Sequence, residues 1–136
     1  MKVILDTNVF ISGVFFSGPP SKILGAWKNR AIQLVITPSI FEEYRRVANE
    51  LSKQFSTVDI SSILELVAIN ADMVPDTILP YPVCTDPDDD KFLACAISAK
   101  AKFICSGDKA LLKTSGHRNI KVLNPSDLWK NYMKES

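Results

Sequence analysis

The sequence predicts an α/β fold built on a central parallel sheet. Short apolar segments without polar alternation, such as residues 2–5 and 34–36, are typical of strands that are buried on both faces of a parallel sheet. Amphipathic helical segments separate these strands, and such alternation of strand and helix is typical of parallel α/β proteins. At 136 residues the chain is long enough to bury a core, so we expect a single domain over residues 1–136.

The first half of the chain contains two predicted strands and three predicted helices. The strand at residues 2–5 leads directly into Asp6, and a first helix follows. Ser21 is the predicted N-cap of a second helix, which extends to about residue 29. After the strand at residues 34–36, Thr37 is the predicted N-cap of a third helix, because a proline stands at the first helical position.

The phase of the third helix separates two neighbouring glutamates. At ~100° per residue, Glu42 lies about 155° from the centre of the apolar stripe and Glu43 about 105° from it. We therefore expect Glu42 to face solvent and Glu43 to lie at the edge of the stripe, where a side chain can reach a cleft. The stripe consists of Phe41, Tyr44, Ala48 and Leu51.

The second half begins with the clearest helical pattern, at residues 60–71, for which Asp59 is the predicted cap. Residues 73–74 are a short predicted strand, and the proline-rich residues 75–87 are a predicted loop. A helix then begins near Asp90. Three elements complete the predicted fold: strands at 103–105 and 120–123, and a terminal helix from residue 124.

Four acidic residues stand at positions where a parallel sheet would bring them together. Asp6 and Asp108 each follow a strand, and ligands of open α/β sheets bind at such strand ends. Asp90 lies about 90° from the apolar stripe of its helix, which resembles the placement of Glu43. Asp89 points toward that stripe but occupies the N-cap position, so capping is its simplest role.

Carboxylates that converge in a partly dry crevice repel one another unless a cation neutralises them. Hard oxygen ligands favour Mg²⁺ or Mn²⁺, and such an ion can activate water for attack on a phosphoryl group. Thr7, Asn8 and Ser106 could position the water or an acidic side chain. Helix capping and solvated loops explain the same acids about equally well from spacing alone.

Composition and cysteine usage limit the classes of protein to be considered. The net charge of +1 gives no strong attraction to nucleic acid or membrane, although a metal-dependent enzyme does not need one. The three cysteines lack CxxC spacing, and Cys95 and Cys105 stand in apolar runs, so reduced thiols and a cytoplasmic location are expected. No apolar run approaches the ~20 residues of a membrane span.

Other catalytic patterns are absent from the sequence. His117 is the only histidine, which excludes a pair of catalytic histidines or a zinc site with several histidines. The sequence contains neither a GxSxG nucleophile elbow nor a GxxxxGK[ST] phosphate loop.

Three segments together resemble the PIN domain family of metal-dependent ribonucleases, which includes the VapC-type toxins: VILDTNVFISGVF, TPSIFEEYRRV and DPDDDKFLACAISAKAKFICSGDKALL. The resemblance places the family's catalytic, metal-binding acids on Asp6, Glu43, Asp90 and Asp108, with Asp89 in reserve. It implies a three-layer α/β/α sandwich, an Mg²⁺ or Mn²⁺ cofactor and hydrolysis of single-stranded RNA. It also implies that the protein could be the toxin of a toxin–antitoxin pair, with an antitoxin protein as partner and a homodimer as its assembly. Supporting polar side chains would be Thr7, Asn8 and Ser106.

Two other functions remain compatible with parts of the pattern. A catalytically silent PIN-like module for RNA binding or assembly would share the fold, but it would have no reason to keep four converging acids. A haloacid-dehalogenase-like phosphatase also begins with an aspartate after its first strand, but it needs a second aspartate where this chain has Asn8. The choice between Asp89 and Asp90, and between one and two metal ions, is left open by the sequence.

Overall fold

The computed structural model describes residues 1–133, and it contains one five-stranded sheet in which every paired strand is parallel. The strands in spatial order are β3, β2, β1, β4 and β5. Together with the helices, the sheet forms the predicted α/β/α sandwich. The strand bounds are β1 Lys2–Leu5, β2 Gln33–Ile36, β3 Asp72–Met73, β4 Phe103–Cys105 and β5 Lys121–Leu123.

Seven α-helices connect and flank the strands of the described region. The last one, α7, continues as a π-helical turn over Trp129–Met133, and the turns Pro87–Asp89 and His117–Asn119 are 3₁₀-helical. The helix bounds are α1 Thr7–Phe15, α2 Pro19–Lys28, α3 Pro38–Ser52, α4 Ile60–Asn70, α5 Asp90–Ala99, α6 Lys109–Leu112 and α7 Pro125–Leu128.

Several predicted helix caps are confirmed by their hydrogen bonds. The Thr37 hydroxyl accepts from the Ile40 amide at 3.2 Å, and Asp59 accepts from the Ser62 amide at 3.3 Å. The prediction for Ser21 was wrong, because α2 already begins at Pro19 and its N-cap is Gly18, which has no capping side chain. Two prolines at the start of α2 fix a helical φ, so the helix begins there without a side-chain cap.

Strand β1 lies in the middle of the sheet, and three of its four residues are buried. Val3, Ile4 and Leu5 are buried between β2 and β4, as the apolar run predicts. From α3, Tyr44 donates a hydrogen bond to the Leu5 carbonyl, and its ring stacks on Phe10 of α1 at 4.1 Å between centroids. Helices α1 and α3 are thereby fixed to the end of β1, where the polar residues begin.

The cysteines agree with the prediction of buried, reduced thiols. Cys84, Cys95 and Cys105 are buried and free. Burial raises the pKa of the Cys84 and Cys95 thiols to about 12, so both stay protonated at neutral pH. Within residues 1–133, the structure contains no helix of sufficient length and apolarity to span a membrane.

Candidate active site

Two of the predicted site residues follow adjacent parallel strands. Leu5 of β1 is in register with Cys105 of β4, and the Asp6 amide donates to the Cys105 carbonyl at 3.0 Å. Asp6 and Asp108 therefore emerge at the same edge of the sheet, the carboxyl end of its strands. This is the edge at which parallel α/β proteins bind their ligands.

Asp6 is buried and is held by two hydrogen bonds. Its Oδ1 accepts from the Val9 amide at 2.8 Å as the N-cap of α1, and its Oδ2 accepts from the Ser106 hydroxyl. Burial raises the pKa of the Asp6 carboxyl; the two hydrogen bonds oppose this shift, and the nearby charges of Asp108 and Glu43 add to it. The other acids of the site therefore disfavour the charged form of Asp6.

Ser106 joins the two strand-end aspartates. Besides donating to Asp6, its hydroxyl oxygen accepts from the Asp108 amide at 2.9 Å, and the residue is fully buried. Asp108 in turn caps the short helix α6 by accepting from the Ala110 amide at 3.4 Å. Ser106 therefore contacts the carboxylate of Asp6 directly and the backbone, not the carboxyl group, of Asp108.

Glu43 reaches the same region from α3, while its neighbour Glu42 faces solvent. The side chain of Glu43 is 18% exposed and that of Glu42 is 59% exposed. Oε1 of Glu43 accepts from the Thr7 hydroxyl, and Oε2 lies 3.1 Å from the Lys91 ammonium. The helical phase predicted from the sequence thus separates the two glutamates in the structure as well.

The structure places Asp89, and not Asp90, beside the other acids. Asp90 turns toward the preceding loop, where its Oδ1 accepts from the Cys84 amide at 2.8 Å and from the Val83 amide at 3.3 Å. The expectation that Asp90 faces the crevice is therefore corrected. Asp89 also makes no capping hydrogen bond at the start of α5, contrary to the capping role expected for it.

The Asp89 carboxyl lies against that of Asp108. Among residues 1–133, Asp89 Oδ2 is the buried side-chain oxygen that lacks a hydrogen-bond donor. Burial, the carboxyl group of Asp108 and further negative charges raise the pKa of Asp89 to about 7. Two carboxyl groups can share a hydrogen bond only when one of them holds a proton. Above neutral pH, Asp89 and Asp108 therefore repel each other and lack this hydrogen bond.

These residues surround a cleft of about 570 Å³, which we call the acidic cleft. Thr7 and the exposed Asn8 also contribute to its wall. Lys91 is bonded to two of its acids, Glu43 and Asp88. Six carboxylates line the acidic cleft: Asp6, Glu43, Asp86, Asp88, Asp89 and Asp108.

The donor chemistry of the acidic cleft suits a hard divalent cation, although the side chains are not yet arranged around one. Carboxylate oxygens are the ligands that Mg²⁺ and Mn²⁺ prefer, and the unpartnered Asp89 Oδ2 needs a positive partner. Within residues 1–133, no group of three or more His, Cys, Asp or Glu side chains is placed so as to hold a metal ion. Binding of a metal would therefore require small movements of carboxylates that now have protein partners.

The fold agrees with a comparison against known families. A family model described as PIN domain matches residues 2–110, which is more than half of the chain. The chain belongs to the PIN domain family. Members of this family are generally nucleases, and they generally use divalent metal ions.

A relative of this PIN domain protein occurs in Methanocaldococcus jannaschii. The two sequences are 32% identical over 129 residues, which cover 91% of this chain and 81% of the relative. The relative is described as an uncharacterized protein, so the similarity supports the shared fold and gives no further information about activity.

One residue of this PIN domain site was not recognised in the sequence. Lys91 follows the run of aspartates and bonds to Glu43, which is 48 positions away in the chain. Its spacing of three from Asp88 on a helical turn does indicate a local ion pair. Nothing local in the sequence indicates the contact with Glu43, which depends on how α3 packs against α5.

Proposed function

We propose that this protein is a metal-dependent endoribonuclease that hydrolyses phosphodiester bonds of single-stranded RNA, with Mg²⁺ or Mn²⁺ as its cofactor. The observation that carries the proposal is the meeting of Asp6, Asp89 and Asp108 at the carboxyl end of the sheet. One buried oxygen there, Oδ2 of Asp89, has no hydrogen-bond donor within residues 1–133. Such an arrangement is unfavourable without a cation, and a nuclease needs a cation at that place.

In the proposed mechanism, Asp6, Asp89 and Asp108 would hold the divalent ion, and Glu43 would be the fourth carboxylate of the site. When bound, the ion would supply positive charge that favours deprotonation of the attacking water and stabilises the leaving oxygen. Asp90 takes a structural role instead, because its carboxylate is engaged by the amides of Val83 and Cys84.

The protein's own side chains would orient the reacting groups. Ser106 holds Asp6 through its hydroxyl, and Thr7 holds Glu43 in the same way. The exposed Asn8 can donate a hydrogen bond to a phosphate oxygen at the wall of the acidic cleft. Glu43, whose Oε1 accepts from Thr7 and whose Oε2 accepts from Lys91, would accept a proton from the attacking water. The water oxygen forms a new bond to phosphorus and the P–O3′ bond breaks. The leaving 3′ oxygen takes a proton from solvent, which gives a 3′-hydroxyl and a 5′-phosphate.

Single-stranded RNA as substrate follows from the resemblance to the ribonucleases of the family. The chain has a single histidine, so the metal-free mechanism that uses two histidines as acid and base is not available to it. The role of toxin, the antitoxin partner, the homodimer and the cytoplasmic location stay predictions. So does the extent of one nuclease domain over residues 1–136.

A second candidate is a catalytically silent PIN module that binds nucleic acid or takes part in an assembly. The observation in its favour is that no three acids within residues 1–133 are placed to hold a metal. Against it stands the contact between the carboxyl groups of Asp89 and Asp108, which lowers folded-state stability and gives a binding module no benefit.

The deciding experiment is a cleavage assay with end-labelled single-stranded RNA. Purified protein should cut the RNA when Mg²⁺ or Mn²⁺ is present and should stop when EDTA is added. The variant Glu43→Gln, purified in the same way, controls for contaminating nucleases and should be inactive. Cleavage that persists in EDTA would rule out the metal mechanism, whereas retention of RNA without cleavage would support the silent module.

A further inference from the structure

Lys91 is a fixed cation beside the acidic cleft, where its ammonium bonds two of the acids that line the cleft. It belongs to the first turn of α5, and its side chain is only 17% exposed. Its ammonium lies 3.1 Å from Glu43 Oε2, 2.8 Å from Asp88 Oδ2 and 3.0 Å from the Asp88 carbonyl oxygen. An ammonium has three N–H donors, so these three contacts satisfy it completely.

The neighbouring carboxylates of Asp88 and Glu43 favour the protonated form of Lys91. Burial alone would lower the pKa of this lysine, but the carboxylates of Asp88 and Glu43 outweigh burial and raise it. The ammonium also lies 5.0 Å from the centre of the Phe92 ring. Lys91 therefore places an ammonium group directly against Glu43 and Asp88.

We propose that Lys91 is a positioning residue that takes the place of a second metal ion in the acidic cleft. Its ammonium neutralises the Glu43 and Asp88 side of the cleft, so that one divalent ion binds, on the side of Asp6, Asp89 and Asp108. This inference rests on the proposed function, because it concerns the metal stoichiometry of the same site.

Two physical arguments support a single ion. A metal bound at Glu43 would have to displace an ammonium that is tethered to the same protein, and a tethered group competes at high effective concentration. A divalent ion close to the ammonium would also be repelled by it. Within residues 1–133, in contrast, Asp89 Oδ2 has no hydrogen-bond donor.

Arg46 does not replace Lys91 in this role. Its guanidinium lies 3.8 Å from Glu43 Oε2, but the side chain is 57% exposed and also lies 3.7 Å from Glu50. Exposed pairs of this kind contribute little, because solvent screens them. Lys91 is thus the cation that determines the charge on the Glu43 side.

The test is a titration of the metal-free protein with Mn²⁺ alone, in which bound and free ion are measured by calorimetry and by electron paramagnetic resonance. Wild type should bind one Mn²⁺ per chain. Lys91→Met should bind that ion about tenfold more tightly, since one positive charge is gone, and should take up a second Mn²⁺ at Glu43 and Asp88. Lys91→Arg, which keeps the charge, should still bind one ion.

Two further variants make the titration decisive. Arg45→Met is the matched control, because Arg45 pairs with the neighbouring Glu42 away from the cleft, and it should leave Mn²⁺ binding unchanged. Glu43→Gln keeps the shape of α3, so it remains informative if Lys91→Met fails to fold. It should weaken binding of the single ion less than about fivefold, because Glu43 pairs with Lys91 and not with that ion.

The possible results separate this inference from the proposed function. Two Mn²⁺ ions in wild type, or a loss of binding greater than tenfold in Glu43→Gln, would overturn the role of Lys91 and leave the metal-dependent nuclease intact. Unchanged affinity and stoichiometry in a folded Lys91→Met would overturn it as well. If wild type bound no Mn²⁺ at all, the proposed function itself would fail.

Discussion

The substitution Asp108→Asn should make the metal-free protein more stable while abolishing its activity. The carboxyl groups of Asp89 and Asp108 lie against each other, and one oxygen of Asp89 lacks a donor. An asparagine at position 108 keeps the shape, can still accept from the Ala110 amide and offers Asp89 an N–H donor. Removal of one charge and satisfaction of one oxygen should both stabilise the folded state.

The magnitude follows from the pKa of Asp89, which is raised from 3.8 to about 7. A shift of that size corresponds to an upper limit of roughly 4 kcal/mol. Burial contributes part of the shift independently of Asp108, and the side chain is partly exposed, so solvent reduces the effect further. We expect a gain of about 1 kcal/mol for Asp108→Asn, or about 3–5 °C in Tm for a protein of this size.

The pH dependence has a definite sign. Because the folded-state pKa of Asp89 lies above its unfolded value, wild type without metal should lose stability as the pH rises from about 4 to about 7. In Asp108→Asn this loss should be smaller. The difference between the two proteins should therefore be small at pH 5 and largest near pH 8.

Urea and thermal unfolding in EDTA and in Mn²⁺ provide the measurement. Mn²⁺ should stabilise wild type by mass action and should stabilise Asp108→Asn much less. Asp59→Asn is the matched control, since Asp59 also caps a helix but is exposed and lies outside the acidic cleft. An Asp108→Asn protein that is less stable than wild type in EDTA, or that keeps the full response to Mn²⁺, would refute the reasoning.

Two pairs of substitutions test the remaining assignments. Glu43→Gln should lower the RNA cleavage rate at least a hundredfold, and Glu42→Gln should lower it less than threefold. The reason is that Glu43, and not Glu42, lines the acidic cleft. Equal losses in the labelled-RNA assay would contradict this assignment. Asp89→Asn should abolish cleavage with little loss of stability. Asp90→Asn should lower the free energy of unfolding in urea by about 1–2 kcal/mol, because the Asp90 carboxylate accepts from two loop amides. If Asp90→Asn retained full stability and lost all cleavage, Asp90 would be the site residue after all.

Much of the fold was predictable because its determinants are local in the sequence. Uninterrupted apolar runs identified the central strands, and the residue after each run identified the polar edge of the sheet. A regular helical period was sufficient to tell Glu43 from Glu42, since α3 is an unbroken helix of 15 residues. Thr37 and Asp59 were recognisable as caps, because capping depends on the next three residues only.

The choice between Asp89 and Asp90 could not be made by the same method. Residues Pro87–Asp89 form a 3₁₀ turn, and α5 begins only at Asp90. A 3₁₀ turn advances ~120° per residue. The direction of the Asp89 side chain, calculated from the sequence at ~100° per residue, is therefore wrong, because Asp89 precedes α5. The partners of Asp90 are amides of the preceding loop, whose path is set by tertiary packing and leaves no periodic pattern.

The double engagement of Asp6 affects how related sequences should be interpreted. Its carboxylate caps α1 through the Val9 amide and accepts from the buried Ser106, so the fold itself depends on it. A descendant that had lost all chemistry would still be under selection to keep an aspartate there. Among residues 1–133, Glu43 accepts hydrogen bonds only from the side chains of Thr7 and Lys91, and from no backbone group. Across a lineage, an acid at position 43 is therefore the more informative marker of a working enzyme.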